Sequence, residues 1–293
     1  MRSTAGDDSL ARVTSADPRV GGGYTPGWTP DASAFMARRT AGTHAGAILE
    51  HLRPGMRLLD VGCGPGTISV GLARLVAPGT VVAVDAEPGQ VELARGRAEA
   101  EGVTNLETAV ADALALPVPD ASVDAAFCHA LLEHLRDPVA AIREMARAVR
   151  PGGPVVAVCP DWGGFLLAPP DEAAERAIGF YERLQAANGG DVRAGRRLGA
   201  HMAAAGLADV RMSARYEVYE DRGAIAGYLA ARIERSPELD DAVGRGWGSA
   251  DQIAATADAL REWSARPDGM FAQAWVSATG WVPRPDGDAQ STR

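Results

Sequence analysis

The chain contains no lysine: all 29 of its basic residues are arginine. That absence removes several chemistries. No phosphate-loop lysine is available for nucleoside triphosphates, no Schiff-base lysine for pyridoxal phosphate, and no Tyr-x-x-x-Lys pair for short-chain reduction. Cysteine is scarce. Cys63, Cys128 and Cys159 stand far apart without C-x-x-C spacing, so they read as buried free thiols, not metal ligands or a disulfide framework. No apolar run approaches the ~18 residues of a membrane span. The opening MRSTAGDDSL has no apolar segment of a secretion signal, which sets a cytoplasmic expectation. Basic stripes are missing too: the net charge is −9 and arginines pair only locally, as in Arg38-Arg39 and Arg196-Arg197. Nucleic acid is therefore not an expected partner, and small-molecule chemistry is favoured.

With 46% apolar residues over 293 positions, the chain can bury one substantial core and an accessory region. Residues 1–22 are Gly/Asp/Ser/Thr-rich and read as a disordered tail, and 23–55 as an N-terminal helical lid. Within the lid, the spacing of Phe35, Ala45, Ile48, Leu49 and Leu52 predicts a helix over 31–52, broken by Arg53-Pro54-Gly55. From residue 56 short apolar strands alternate with amphipathic helices. Strands are expected at 56–61, 81–85, 105–111, 123–128 and 154–159, and helices at about 88–101 and 137–149. That alternation indicates a doubly wound α/β fold with a mostly parallel sheet covered on both faces. Helices at 171–187 and 193–206 and a strand at 208–219 complete a core over 56–220. The helical block 221–265 reads as a cap inserted before a final strand at 270–281, within 266–282, and 283–293 forms a Pro/Asp tail.

The segment LLDVGCGPGT, Leu58 to Thr67, carries the most chemistry. An apolar run ends in Asp60 and opens into Gly62, Gly64 and Gly66 before a helical segment. Strand, glycine turn and helix let backbone N–H groups approach a ligand that a Cβ would hold away. The spacing is G-x-G-x-G, which points away from the dinucleotide motif and toward S-adenosylmethionine. Asp60 is placed to support the turn by accepting its N–H groups, or to meet a ligand ammonium. Asp85, with Ala86 beside it, ends the second strand, where an acid faces the crevice and can accept two ribose hydroxyls; the alternative is a helix-capping acid. Asp112 follows the third strand and can accept an adenine amino group while the Ala113 N–H donates to a ring nitrogen; the alternative is a turn-capping acid.

Taken together, LLDVGCGPGT, VVAVDAEPGQ, VADALALPVPDASVDAAFCHALLEHLRDP and REMARAVRPGGPVVAV resemble, in order and spacing, the seven-stranded class I S-adenosylmethionine-dependent methyltransferases. The likeness is to their ubiquinone/menaquinone-methyltransferase-like, small-molecule group of secondary metabolism. It covers about residues 38–160 and extends weakly to 207. The resemblance implies a seven-stranded sheet with an antiparallel last strand, S-adenosylmethionine as cofactor and S-adenosylhomocysteine as product. It places the glycine turn against the methionine part, the His129 backbone carbonyl beside that part, and Leu131 nearby. Tyr24 and either Arg38 or Arg39 could reach the methionine carboxylate from the lid; Arg39 is preferred because its Arg-Thr-Ala context matches the group.

Methyl transfer from a sulfonium needs alignment more than acid–base chemistry. His134, in Leu-Glu-His-Leu past the fourth strand, is the candidate base, with a structural role as its alternative. Asp161 and Trp162, expected just past the fifth strand, are a candidate base or orienting acid and a stacking surface for a flat acceptor. Glu133, His44, His51 and His201 read as ordinary helix residues. Tyr216, Tyr219, Tyr228, Trp247 and Trp263 would form either an apolar acceptor pocket or a small secondary core. The expected activity is methylation of a small apolar or aromatic acceptor (an EC 2.1.1-type reaction). The alternatives are a fold relative that cyclises or rearranges its substrate without net transfer, and a nicotinamide-dependent oxidoreductase. A homo-oligomer is left open by the exposed N-terminal helix.

Overall fold

The computed structural model describes residues 24–27 and 29–285. The expected tail over 1–22 and residues 286–293 of the C-terminal tail lie outside the described residues. In chain order the elements are α1 (Pro30–Met36), α2 (Ala41–His44), α3 (Gly46–Leu49), β1 (Leu58–Val61), α4 (Thr67–Val76), β2 (Val81–Asp85), α5 (Pro88–Ala100), β3 (Leu106–Val110), β4 (Ala125–His129) and α6 (Pro138–Ala148). There follow β5 (Pro154–Ala168), α7 (Glu172–Ala187), α8 (Ala194–Ala204), β6 (Ala208–Val218), α9 (Arg222–Ile233), α10 (Ser236–Gly244), α11 (Ala250–Ser264) and β7 (Met270–Trp281).

The strands form one seven-stranded sheet in the order β3-β2-β1-β4-β5-β7-β6. β1 to β5 run parallel, and β7 runs antiparallel between β5 and β6. β1, β2 and β4 are buried along their whole length, as their unbroken apolar runs require of strands covered on both faces. On one face Leu59, Val61, Ile142, Met145, Leu198 and Met202 pack beneath α6 and α8. On the other, Ile48, Leu72, Val76, Ala94, Phe127 and Trp275 pack beneath α2 to α5. Each such side chain contributes about 1.5–3 kcal/mol by leaving water. Cys63, Cys128 and Cys159 are free and buried.

Two elements depart from the sequence pattern. The helix expected over 31–52 is three short helices. Thr40 adopts an extended conformation and caps α2 through a reciprocal box with Thr43, which starts a new helix where the old one would have continued. The fifth strand, expected to stop at 159, runs to Ala168 because β7 pairs with it from Pro154↔Trp281 to Ala168↔Met270. Gly163 and Gly164 fall in a register shift between Asp161 and Leu166. The extended half of β5 carries a third apolar cluster that includes Trp162, Tyr181, Ile225, Leu229, Trp263 and Phe271, shared with α7, α9 and α11.

The turn into α4 depends on Gly66. Its φ is +78°, and a Cβ there would lie 2.6 Å from the Ala94 Cβ on α5. Gly66→Ala is therefore expected to cost about 2–4 kcal/mol, from left-handed strain and overpacking together. The check is a urea midpoint; an unchanged midpoint would mean that α5 moves aside freely.

Candidate active site

A cavity of about 660 Å³ opens at the carboxyl ends of β1, β2 and β4, where the strand order reverses. Its floor is the glycine turn. The Gly62 and Cys63 N–H groups donate to the Val84 carbonyl at 2.8 and 3.0 Å, and the Gly64 N–H donates to Asp85 Oδ2 at 2.9 Å. Gly62 and Gly64 both have positive φ. At Gly64 a Cβ would point into open space apart from Gln90 Oε1 at 3.9 Å, so bare backbone faces the cavity. At Gly62 a Cβ would meet the Leu131 side chain, which packs over the turn. Gly66 does not line the cavity; its glycine is required by α5, and that corrects its expected role against a ligand.

The acids divide the work differently from expectation. Asp60 does not accept the turn's N–H groups; it accepts from the Ser69 hydroxyl at 2.6 Å, and the turn is held by Asp85. Burial pushes the Asp60 carboxyl up to about 6, with the Ser69 bond opposing and Asp85 adding to the rise. Asp85 also accepts from the Glu87 N–H at 3.0 Å, but it is Glu87, not Asp85, that caps α5, by accepting from the Gly89 N–H. Its pKa is raised by burial, which the Glu87 and Gly64 N–H groups counteract. Ala86, Asp112 and Ala113 line the same cavity, and Asp112 accepts from the Leu114 N–H at 2.9 Å, closing a short turn.

The opposite wall brings Tyr24, Arg39, His129 and His134 together. Arg38 points away, paired with the exposed Asp221 at 3.2 Å, whereas the Arg39 guanidinium lies over the Trp275 ring at 5.2 Å. His129 is buried against Trp275, with both ring nitrogens lacking a hydrogen-bond partner. Burial, and then Arg39, hold its pKa well below the ordinary histidine value. The Tyr24 ring meets His134 edge-on at 4.9 Å between centroids. Burial, reinforced by Arg39, lowers the His134 pKa to about 3, so this imidazole is neutral at physiological pH and a weak proton acceptor.

A second, smaller cavity of about 40 Å³ adjoins the first and shares Tyr24, Met36, Arg39, Ala130 and His134 with it. Trp162, Tyr181, Tyr219 and Tyr228 supply aromatic walls, and Phe35 stacks on Tyr228 at 4.4 Å. Trp162 thus belongs to a cavity wall and to the third core cluster at once. Trp263 is buried in that cluster and Tyr216 is exposed on β6, so the expected aromatic set is divided. Asp161 lines neither cavity. Arg196 grips both of its oxygens at 2.7 Å, and the strand that carries it continues past the point where it would have reached the crevice. Glu133, read from sequence as an ordinary helix residue, lines the smaller cavity with a buried carboxyl. The rule that singled out Asp85 and Asp112, an acid at the carboxyl end of a parallel strand, applies to it equally.

Among the described residues no group of three or more His, Cys, Asp and Glu side chains is placed to hold a metal ion. No described helix is long and apolar enough to cross a membrane. Residues 59–157 match the family model of a methyltransferase domain. A 37.1 kDa protein of transposon TN4556 from Streptomyces fradiae is 34% identical over 59% of this chain and 52% of its own length. The 27-O-demethylrifamycin SV methyltransferase of Amycolatopsis mediterranei is 35% identical over 48% of this chain and 50% of its own. The chain thus spans about half the length of these curated relatives. The solved YcgJ protein of Bacillus subtilis superposes with a TM-score of 0.57 at 20% identity, over 82% of this chain and 98% of that one, a likeness of fold.

The ion pair at Asp161 yields a direct test. Asp161→Asn is expected to lower the urea midpoint, because Arg196 loses a bidentate partner and a buried polar group loses charge-assisted bonds. Ligand affinity in the large cavity, followed by calorimetry, should stay at the wild-type value; a selective loss of affinity with intact stability would return Asp161 to the site.

Proposed function

We propose, from the match of residues 59–157 to a methyltransferase-domain family model and from a seven-stranded sheet of the class I S-adenosylmethionine-dependent kind, that this chain methylates a small-molecule acceptor. The observation that carries the reading is the pair of adjoining cavities, one large and acid-lined, the other small and aromatic.

The residues present fit S-adenosylmethionine. The large cavity offers acceptors at three strand ends, bare backbone at Gly64 and a guanidinium at Arg39. A carboxylate has about four lone-pair sites, so Asp85, with two N–H partners, can still accept ribose hydroxyls. Asp112 and the Ala113 N–H would meet the adenine edge, and Ala86 would lie beside the ribose. Asp60 faces the ammonium end, Arg39 would fork the carboxylate, and Gly62, Leu131 and His129 would flank the methionine chain. S-adenosylmethionine, when bound, supplies a methyl group on a positively charged sulfur, an already activated leaving group.

Tyr24, Phe35 and Met36 belong to the lid segment and help to separate the cavities from solvent. Polar ties fasten that segment. Gln90 Nε2 donates to the Ser33 hydroxyl at 2.8 Å, Asn188 Nδ2 to the Thr25 hydroxyl at 2.8 Å, and Arg232 to the Pro26 carbonyl at 2.6 Å. An acceptor ring exceeds the small cavity as it stands, so these ties and the Phe35–Tyr228 stack must loosen for it to enter. Trp162, Tyr181 and Tyr228 then offer flat apolar faces, which favours an apolar or aromatic acceptor. His134, neutral at the boundary of both cavities, orients groups there and does not hold a proton at pH 7.

Calorimetric titration separates the roles. Asp85→Ala should weaken binding of both S-adenosylmethionine and 5′-methylthioadenosine by more than about tenfold, because charge-assisted bonds are lost. Arg39→Met should weaken S-adenosylmethionine selectively, since methylthioadenosine has no carboxylate; equal losses would place the Arg39 contact elsewhere. Transfer itself is read as a mass gain of one methyl on a supplied acceptor. Turnover of an acceptor without that gain would replace methylation by a rearrangement on the same fold.

A further inference from the structure

We propose that the Glu133 carboxylate is the catalytic base that takes the proton of an acceptor hydroxyl as its oxygen is methylated. The proposal rests on the methyl-transfer reading above. Glu133 occupies a single helical turn, Leu132–His134, immediately past β4. Its backbone carbonyl accepts from Gln185 Nε2 at 3.0 Å and from the Asp191 N–H at 2.8 Å, so the turn is fixed to α7 and to the loop before α8. The side chain is 2% exposed and lines the aromatic cavity with Trp162, Tyr181 and Tyr228. Its Oε2 atom has no hydrogen-bond partner.

A buried acid kept for structure is normally satisfied, as Asp161 is by Arg196. Glu133 instead carries an unpartnered oxygen at a cavity wall. The charged and titratable groups around it are few. His134 Nε2 lies 3.7 Å from Oε1, the Arg39 cation acts from the lid side, and the Cys159 thiol on β5 donates a hydrogen bond. Cys128 on β4 and the hydroxyls of Tyr24, Tyr181 and Tyr228 feel its charge across the cavity. Burial pushes the carboxyl up to about 7, while its backbone hydrogen bond, the Cys159 thiol and Arg39 restrain the rise. A base near the working pH is at once partly ionised and able to hold a proton. His134, at about 3, cannot hold one there.

The step balances. The acceptor oxygen uses a lone pair to form the O–C bond as the C–S bond breaks, and that bonding pair stays on sulfur, which becomes a neutral thioether. The hydroxyl proton passes to Glu133 Oε2. The sulfonium and carboxylate charges thus cancel, giving a neutral sulfide and a protonated Glu133, which releases its proton to solvent when the products depart.

The test uses the full chain and the variants Glu133→Gln and Glu133→Asp. In cofactor-free protein, infrared difference spectra should show a protonated-carboxyl component that titrates near pH 7 and is lost in Glu133→Gln, leaving the component of Asp60 near 6. Between about 4.5 and 7 the folded state keeps a proton that the unfolded chain has released, so wild-type stability should fall with rising pH across that window. Glu133→Gln should show a smaller fall, the remainder coming from Asp60 and Asp85, whose carboxyls burial also raises. With para-substituted phenols and simple alcohols as acceptors, Glu133→Gln should lose about 10²–10⁴-fold in single-turnover rate with S-adenosylmethionine affinity unchanged. The deficit should shrink as the acceptor hydroxyl becomes more acidic, and Glu133→Asp should recover part of the rate. A deficit uniform across acceptors, or a wild-type rate in Glu133→Gln, would overturn the assignment and leave methyl transfer standing. Methylation of amine or carbon acceptors with none of hydroxyls would overturn the assignment alone, and no methyl gain on any acceptor would overturn both readings.

Discussion

The carboxylate of Asp85 is the constraint on which the site depends. One of its oxygens accepts the Gly64 N–H from the turn after β1, and the other accepts the Glu87 N–H at the start of α5. Two segments that diverge from neighbouring strands are thereby held by one buried group. The geometry of the turn, the entry of α5 and the open face at Gly64 follow from that joint. Burial alone would favour a neutral acid; the donated N–H bonds work against that cost and hold the carboxylate where a ligand's hydroxyls can also reach it.

Much of this architecture was legible in the sequence because it is local. The Gly62–Gly64–Gly66 spacing, the acids at 85 and 112 and the strand–helix alternation each lie within a few residues, and the sheet order and parallel pairing agree with them. Apart from the local Thr40–Thr43 capping box that splits the leading helix, the departures are non-local. Asp161 looks free until β7 lengthens β5 and α8 brings Arg196 against it. Asp60 and Asp85 exchange the task of holding the turn because register, not motif position, decides which carboxylate meets the Gly64 N–H. Glu133 was hidden by its neighbour: the histidine drew the catalytic reading, but only burial, which sequence spacing does not report, separates a carboxyl near 7 from an imidazole near 3.

Arg39 shapes the field on both sides. It opposes protonation of His129 and His134, draws Glu133 down and lies on Trp275, which itself packs on His129. Burial makes the two histidines poor bases and Arg39 adds to that effect, while it makes the nearby carboxylate a better-tolerated anion.

The bulged extension of β5 has an organisational consequence. Past the register shift, the strand leaves the layer that supports the glycine turn and becomes the base for α7, α9 and α11. Trp162, Tyr181 and Tyr228 line the aromatic cavity without lining the larger one. Shape of the aromatic chamber and affinity at the strand ends are thus nearly separate variables, coupled only through the few side chains at the shared wall. A lineage can therefore explore new partners by substitution in the helical layer while Asp60, Asp85 and the turn stay as they are.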